Sequence, residues 1–480
     1  MIAGTTSDAG KTTLVTGLCR WLARRDVRVA PYKAQNMSNN SMVCADGAEI
    51  GRAQWIQAVA AGVEPEAAMN PVLLKPGSDR RSHVVLMGRP WGDLDARDFT
   101  TRRTELAKAA FAAYEDLAGR YDVVVCEGAG SPAEINLRES DYVNLGLARY
   151  IDAPVVVVGD IDRGGVFASM FGTLALLDAD DQRLISGYVV NKFRGELSLL
   201  EPGLEMLRGV TGRPVLGVLP WLADLWLDSE DALDIPGRRA SSSGGLSIAV
   251  VRFPRISNFT DLDALAAEPS TAVFFTADPA DVRDADLVVL PGSRATMADL
   301  AWLRSTGLAA AVTDRVARGG AVLGICGGYQ MLGGAIDDPD GVEGGGSSRG
   351  LGLLPVATRF ADEKTLGRPA PTAYEIHHGV VTPTGVVEDF GGGCRAGSVW
   401  GTIWHGLLDH DSARHAFLTE IAAAVGKPGP DGGTSFRTLR EDRLDRLADA
   451  VEAHLDTEQL LGLIEKGPPA GLPFVPPGAP

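Results

Sequence analysis

The stretch Gly4-Thr-Thr-Ser-Asp-Ala-Gly-Lys-Thr-Thr13 is a glycine-rich turn that leads into an amphipathic segment with helical spacing. Backbone N–H groups converge in such a turn and the helix dipole attracts anions, so the stretch predicts a phosphate-binding loop. Gly10 and Thr13 would belong to the loop, Lys11 would reach the β- and γ-phosphates, and Thr12 would ligate Mg²⁺. The loop is one residue longer than the usual pattern. A plain turn is the alternative, and Lys-Thr-Thr at the helix start disfavours it.

Short apolar runs alternate with amphipathic stretches after this loop, which is the rhythm of a doubly wound α/β sheet. The predicted strands are Val27–Ala30, Val123–Cys126, Val155–Val158, Ile185–Val190 and Val215–Leu219, and the predicted helices are Lys11–Arg24 and Thr101–Leu117. Only Met1, Ile2 and Ala3 precede the loop. Either the chain begins upstream or the strand that carries the loop is truncated.

Composition changes at Pro236–Gly245, which is rich in Pro, Gly and Ser and predicts a linker. We therefore expect a first domain at 1–235 and a second at 246–430, with strands at Leu287–Leu290 and Ala321–Ile325. Asp337–Gly350 predicts a surface loop. A helical segment is expected at 431–466, and the Pro- and Gly-rich tail 467–480 is expected to be disordered.

The chain has 480 residues, of which 45% are hydrophobic and 22% charged, and a net charge of −17, as expected for a soluble protein of two or three domains. No basic stripe stands out, which argues against nucleic acid as a partner. The five cysteines form no Cys-x-x-Cys pair, which disfavours disulfides and zinc and favours the cytoplasm. No secretory leader or membrane span is visible. The oligomeric state stays open, a homo-oligomer included.

Polar side chains follow three of the predicted strands. Glu127 ends the strand Val123–Cys126, where a carboxylate is well placed to hold Mg²⁺. Asp160, Asp162 and Arg163 follow the next strand and can serve metal and phosphate. Asn191 follows another strand, and its amide can recognise a purine edge. The alternative for each is a solvated strand-end turn.

Gly324-Ile-Cys-Gly-Gly328 is a sharp turn that presents a thiol at the end of a predicted strand. The flanking glycines leave room for the bend, as in the nucleophile elbows of hydrolases, and Cys326 would be the nucleophile. A helix that begins at the turn favours the thiolate and offers N–H groups to an oxyanion. Gly327 and Gly292 are the expected oxyanion donors.

A thiol nucleophile needs a base, and two histidines have a suitable context. His405 lies at the end of a short apolar run and precedes a glycine, so it can face the elbow. His377 is the alternative. A histidine in either context alone is more often a surface or core residue than a catalytic base. The turn at Cys326 favours His405 as the base.

These motifs resemble two families. The first domain is similar to the dethiobiotin-synthetase-like P-loop enzymes, whose loop has this longer spacing. The second resembles the class I, triad-type glutamine amidotransferases, in the branch found in cobalamin biosynthesis. The resemblance runs from residue 4 to about residue 465. The segments that carry it are Pro31–Asn40, Glu49–Gln54, Asn70–Pro76, Gly159–Phe167, Tyr374–His377 and Phe436–Arg440.

The resemblance implies an amide-forming ligase. Glutamine hydrolysis at Cys326 and His405 would supply ammonia, and ATP with Mg²⁺ would activate corrinoid propionates as acyl phosphates. The b, d, e and g carboxylates of adenosylcobyrinic acid a,c-diamide are the implied acceptors. The substrate-binding residues implied by the resemblance are Lys33, Gln35, Asn36, Asp160, Asp162 and Arg163.

One departure and three rival functions remain at this point. Class I amidotransferases carry His-x-Glu, whereas His405 precedes Gly406 and Leu407, so the third triad member is missing or comes from elsewhere. The rivals are cobyrinic acid a,c-diamide synthase, an amidotransferase acting on a lipid-linked cell-wall intermediate, and a nucleotide-switch protein with an inactive amidotransferase-like module. The first would be expected to carry Lys-x-Gly-Pro-Asp at Lys33.

Overall fold

The computed structural model describes residues 1–76, 81–95, 99–222 and 245–477. The strands before residue 223 are β1 (Ile2–Gly4), β2 (Val29–Tyr32), β3 (Gln35–Met37), β4 (Ser41–Val43), β5 (Glu49–Gly51), β6 (Val72–Pro76), β7 (Arg81–Leu86), β8 (Arg89–Asp95), β9 (Val123–Cys126), β10 (Val155–Asp160), β11 (Ile185–Phe193) and β12 (Val215–Pro220). The α-helices there are α1 (Lys11–Ala23), α2 (Arg52–Ala61), α3 (Phe99–Arg120), α4 (Leu145–Tyr150), α5 (Val166–Ala175), α6 (Ala179–Gln182) and α7 (Leu197–Thr211).

A parallel sheet in the order β1-β10-β11-β12 forms the centre of the first half. Ile2 also bridges Glu127 at the end of β9, and β9 pairs with β2, so the short β1 has neighbours on both sides. The ammonium of Met1 donates to the carbonyl of Pro154 at 2.7 Å. The loop after Gly4 is therefore anchored although its strand has three residues.

Two smaller elements of the first half were not predicted. β3, β6, β7 and β8 form a separate mixed sheet, and β4 pairs with β5 in a hairpin. Their alternating and amide-rich sequences carry a weaker signal than the continuous apolar runs of the parallel strands. This added layer carries the stretch after Lys33 that was predicted to meet the substrate.

The second half repeats the α/β pattern. Its strands are β13 (Leu246–Val251), β14 (Ile256–Ser257), β15 (Thr271–Thr276), β16 (Leu287–Leu290), β17 (Gly292–Ser293), β18 (Ala321–Ile325), β19 (Ala335–Asp338), β20 (Gly346–Arg349), β21 (Val356–Gly367), β22 (Glu375–Pro383), β23 (Glu388–Asp389), β24 (Gly393–Ala396) and β25 (Val399–Thr402). Its α-helices are α8 (Asp263–Ala266), α9 (Pro279–Asp284), α10 (Thr296–Ser305), α11 (Leu308–Ala317), α12 (Gly327–Leu332), α13 (Asp411–Val425), α14 (Phe436–His454) and α15 (Thr457–Lys466).

The main sheet here has the order β15-β13-β16-β18-β25-β24-β23, in which the first five strands are parallel. The last two join antiparallel. Carboxyl ends of parallel strands share one edge, so the residues that follow β13, β16, β18 and β25 meet there. The predicted α/β fold class of both halves is confirmed.

Three expectations about the second half and the tail differ from the structure. The predicted loop Asp337–Gly350 contains the β19–β20 hairpin, whose turn is held by Asp338 accepting N–H groups of Val342, Glu343 and Gly345. The helical segment divides into α14 and α15. In the tail, Val475 is buried in a hydrophobic cluster of the first half, and its backbone exchanges two hydrogen bonds with the Gln182 side chain. The linker expected at 236–245 lies outside the described residues except for Gly245, as do 478–480.

The C-terminal helices pack against the first half of the chain. α14 lies along α1, where Arg20 pairs with Asp445 at 2.8 Å. Leu455 bridges Gly217 of β12. The chain therefore returns from the second half and fastens to the first. Among the helices that the structure describes, none has the length and apolarity needed to cross a membrane.

Candidate active sites

The predicted phosphate loop follows β1 and ends at the first turn of α1, which includes Thr12 and Thr13. Lys11 folds back over the loop and donates to the carbonyls of Thr6 and Gly130 at 2.9 and 3.1 Å. Gly10 has φ 100, and a Cβ there would lie 1.9 Å from Nδ2 of Asn191. Only glycine fits this position, because both the dihedral angle and the space exclude a side chain.

Glu127 lies against this loop and is fully buried. Its Oε1 accepts from the Thr12 hydroxyl at 2.8 Å and from Lys33 at 3.0 Å, and its Oε2 accepts from Gln57 at 2.6 Å. Burial favours the neutral acid, but Lys33 and the hydrogen bonds outweigh it and lower the pKa of Glu127. An ionised carboxylate beside a threonine hydroxyl is the oxygen donor set that Mg²⁺ takes together with phosphate.

The amide residues predicted to face ligands have mostly internal roles. Asn191 donates to the carbonyl of Ala9 at 3.0 Å, so it supports the loop, and the structure does not place its donor toward a purine. Asn36 is 2% exposed and donates to Gln54, which removes it from a substrate surface. Gln35 is half-buried and accepts from the Tyr142 hydroxyl.

The charged residues after β10 gather beside the phosphate loop. Asp160 accepts from Lys192 at 2.8 Å, and Lys192 also donates to the carbonyl of Asp8. Arg163 pairs with the Asp8 carboxylate at 3.1 Å. Asp162 follows the same strand and is exposed. The structure therefore groups these predicted residues with the loop.

The thiol turn after β18 has the predicted elbow shape. Cys326 has φ 48 and ψ −109 and caps α12, and its N–H donates to Thr402 at 2.8 Å. A Cβ on Gly328 would lie 1.9 Å from the carbonyl oxygen of Leu290, and one on Gly324 would crowd the backbone of Tyr329. The glycines are required by the close approach of the backbone, and the positive φ of Cys326 is the strain typical of a nucleophile elbow.

His405 follows β25 and faces Cys326. Its Nδ1 lies 2.7 Å from Oδ2 of Asp261, and Oδ1 of that carboxylate accepts the N–H of Gly406 at 2.8 Å. Burial opposes the charged imidazole, but Asp261 and a hydrogen bond with Cys326 outweigh it and raise the pKa of His405 to about 10. The ring of Tyr374 stacks on the imidazole with the ring centroids 5.2 Å apart, and the backbones of the two residues exchange two hydrogen bonds.

Asp261 is the acid that the sequence did not identify. It lies in the short 3₁₀ turn Phe259–Leu262, after β13. Asn258 precedes that turn with φ 48 and donates to the carbonyl of Ser41 and to the Tyr374 hydroxyl. The sequence offered one signal for this acid. β13 ends at the edge of the sheet that carries Cys326, so an acid shortly after β13 could have been considered as the partner of His405.

The remaining predicted residues of this site lie close to the triad. Gly327 is the first residue of α12, where an N–H has no acceptor within the helix. Gly292 lies against His405, since a Cβ there would be 3.2 Å from its Cε1. His377 lines the same cavity, but burial and then the charge of His405 lower the pKa of His377 to about 4. The acid pairs with His405, which favours His405 over His377 as the base.

Comparison with known proteins assigns a family to each half of the chain. A family of CobQ/CobB/MinD/ParA nucleotide binding domains matches residues 1–234, and a family of CobB/CobQ-like glutamine amidotransferase domains matches residues 247–413. Cobyric acid synthase of Mycolicibacterium vanbaalenii is 62% identical over 491 residues, covering 100% of this chain and 99% of that protein. The chain belongs to the cobyric acid synthase family.

Another member of the cobyric acid synthase family, from Mycobacterium marinum, is 61% identical over 492 residues, with 100% of this chain and 99% of that protein covered. A solved structure described as glutamine amidotransferase aligns with a TM-score of 0.30 at 18% identity, over 37% of this chain and 98% of its own. That likeness is too low to carry an argument. Membership of the cobyric acid synthase family confirms the family predicted from the sequence, with a nucleotide-binding and a glutamine amidotransferase half.

Proposed function

We propose that this chain uses ATP and glutamine to amidate the b, d, e and g carboxylates of adenosylcobyrinic acid a,c-diamide. The observation that carries the proposal is the triad of Cys326, His405 and Asp261 in one chain with the phosphate loop Gly4–Thr13. The first half, 1–235, would activate a carboxylate, and the second, 246–430, would release ammonia. Full-length similarity to proteins named cobyric acid synthase supports this acceptor over the rival ones.

The second half releases ammonia by covalent catalysis. The Cys326 sulfur attacks the side-chain amide carbon of glutamine, and the C–N bond breaks as protonated His405 gives its proton to the leaving nitrogen. The N–H groups of Gly327 and Gly292 would donate to the oxyanion, and one such donor is typically worth about 3 kcal/mol. Asp261 holds the imidazole in orientation. Water then hydrolyses the thioester to glutamate.

The first half makes the acceptor reactive, because a carboxylate is a poor electrophile at neutral pH. Lys11 binds the β- and γ-phosphates of ATP, and the γ-phosphoryl group passes to a propionate oxygen as its bond to the bridging oxygen breaks and ADP leaves. Ammonia attacks the acyl phosphate, the amide C–N bond forms and phosphate leaves. Thr12 and Glu127 would hold Mg²⁺, which neutralises phosphate charge when bound.

The remaining first-half residues have supporting roles in this proposal. Lys33 keeps Glu127 ionised beside the loop. Asp160, Asp162 and Arg163 surround the loop entrance, where a phosphate or an anionic acceptor would arrive. The net charge of −17 and the unpaired cysteines support a cytoplasmic enzyme that acts on small molecules and not on nucleic acid.

Mass spectrometry of the corrinoid product tests the proposal. The full chain is incubated with ATP, Mg²⁺ and glutamine, and with either adenosylcobyrinic acid a,c-diamide or cobyrinic acid. Four successive exchanges of OH for NH₂ on the a,c-diamide, each dependent on ATP, are expected. Amidation of cobyrinic acid at two positions, with the a,c-diamide left unchanged, would assign the chain to the a,c-diamide synthase reaction instead.

A further inference from the structure

The cavity that contains Cys326 and His405 has walls from both halves of the chain. It encloses about 550 Å³ of space that includes open solvent. Lys75, at the end of β6 in the first half, lines it together with Arg294 and Lys364 of the second half. The thiol site is therefore completed by a residue that lies far outside the amidotransferase half.

Lys75 is held in place by a buried ion cluster that crosses the boundary between the halves. Glu49 on β5 is fully buried and accepts from Lys75 and from Lys364 of β21. The hydroxyl of Ser41 accepts from Lys75 at 2.8 Å and donates to Glu49. The side chains of Lys75 and Lys364 are only 5% and 7% exposed.

The charges of this wall do not balance. Glu49 supplies one negative charge against the two ammonium groups of Lys75 and Lys364, and Arg294 adds a positive charge whose effect also reaches Glu343. Burial lowers the pKa of Lys75 to about 8 against the effect of Glu49, and the charges of Lys364 and Arg294 act in the same direction as burial. Excess positive charge in a buried wall is costly unless an anion pairs with it. A carboxylate is the ligand chemistry that this wall fits.

The same cavity also contains an acid. Glu343 accepts from the Thr296 hydroxyl and from the N–H of Met297, both at 3.1 Å. Its loop is fixed by Asp338, which accepts three backbone N–H groups. Burial raises the pKa of Glu343 to about 7 against the opposing effects of the Met297 hydrogen bond and the charge of Arg294, so a further cation bound beside it would favour its ionised form. The cavity of Cys326 is thus lined both by basic side chains and by an acid.

We propose that Lys75 and Lys364 bind the α-carboxylate of glutamine, and that Glu343 binds its α-ammonium, while its side-chain amide reaches Cys326. The inference rests on the proposed glutamine hydrolysis and deepens it. Free glutamine is a zwitterion, so it matches a cavity with separated charges of both signs, whereas a peptide-bound glutamine side chain lacks them. Lys75 is then a specificity-determining residue that the first half contributes to the thiol site.

Glutamate release by the full chain tests the inference with two amides as competitive inhibitors. Glutaramic acid lacks the α-ammonium, and γ-aminobutyramide lacks the α-carboxylate. Lys75→Met is expected to raise the KM for glutamine and the inhibition constant of glutaramic acid about 10- to 100-fold, the loss of one charge-assisted contact. The inhibition constant of γ-aminobutyramide should stay unchanged. Glu343→Gln should raise the inhibition constant of γ-aminobutyramide and leave that of glutaramic acid unchanged.

Matched variants and a second assay separate the other outcomes. Lys427→Met removes an ion-paired lysine at the opposite end of the sheet and should change none of these constants. If Lys75→Met does not fold, Lys364→Met is measured in its place and should raise the same two constants. Equal shifts for both inhibitors, or no inhibition of the unmodified chain by either, would overturn the inference. Loss of ammonium-driven amidation in Lys75→Met would instead place Lys75 at the acceptor site. Absence of glutamate release by the unmodified chain would refute the proposed function itself.

Discussion

Replacing Asp261 by Asn removes the charge that faces His405 and keeps the size of the side chain. The pKa of His405 is raised from 6.5 to about 10 by Asp261 and Cys326, after the opposing effect of burial. At about 1.4 kcal/mol per tenfold change in acidity, the difference corresponds to about 5 kcal/mol. Asp261 is the largest of the causes that raise this pKa, so without it only about one His405 side chain in ten would be protonated near pH 7.5. Loss of the held imidazole orientation adds to this, and together they predict a fall in kcat of about 100- to 1000-fold.

The assay is glutamate release, followed across pH. His405 gives a proton to the leaving ammonia and must be protonated, so the alkaline limb of kcat/KM follows its raised pKa. Asp261→Asn lowers that pKa, and the limb should move down from about 10 toward 6.5. The same linkage acts on stability. The contribution of His405 is fully present below pH 6.5 and is lost as pH rises through about 10.

Two controls show whether the effect is local to the triad. Amidation driven by ammonium ions should continue in Asp261→Asn, because it does not need the thiol. Asp286→Asn removes an acid that bonds Ser247 and Lys427 at the opposite edge of the sheet, and it should leave glutamate release unchanged. A kcat within about threefold of the unmodified chain, with the same alkaline limb, would refute the role given to Asp261.

Three further substitutions test the two catalytic halves. Cys326→Ser should abolish glutamate release and glutamine-driven amidation but keep ammonium-driven amidation, as read by mass spectrometry of the corrinoid; loss of both would contradict the assignment. Lys11→Met should lower amidation from either nitrogen source at least about 100-fold while glutamate release persists, measured in parallel assays. Gly10→Ala places a methyl 1.9 Å from Asn191 at φ 100, which should cost about 1–3 kcal/mol and lower the Tm. Gly62→Ala, at φ 70 with open space, should lower it less.

The sequence predicted both members of the Cys326–His405 pair but not the acid that orients the histidine. Each of the two follows an apolar strand and is flanked by glycine, which is a local pattern. Asp261 lies in a short turn without such a pattern. Its position depends on Asn258, whose amide bonds Ser41 of the other half, and a contact of that kind leaves no local mark.

Side-chain direction was the second feature that the sequence did not predict. Asn36 and Asn191 have the chemistry to bind ligands; Asn191 follows a predicted strand, and Asn36 lies in a segment that carries the family resemblance. The structure uses their amides inside the fold, on Gln54 and on the carbonyl of Ala9. Residue type shows what a group is able to bond, whereas its partner depends on packing.

Local patterns in the sequence were enough to predict the two α/β halves, the glycine-rich loop before α1 and the elbow at Cys326. These features depend on apolar runs, glycines and a helix start within about ten residues of one another, so short-range sterics and hydrogen bonding specify them. The pairing of Asp261 with His405 across 144 residues, and the position of Lys75 of the first half in the cavity of Cys326, depend instead on long-range packing. Such contacts form when the edges of separate sheets meet, and that alignment is set by the packing of the whole chain.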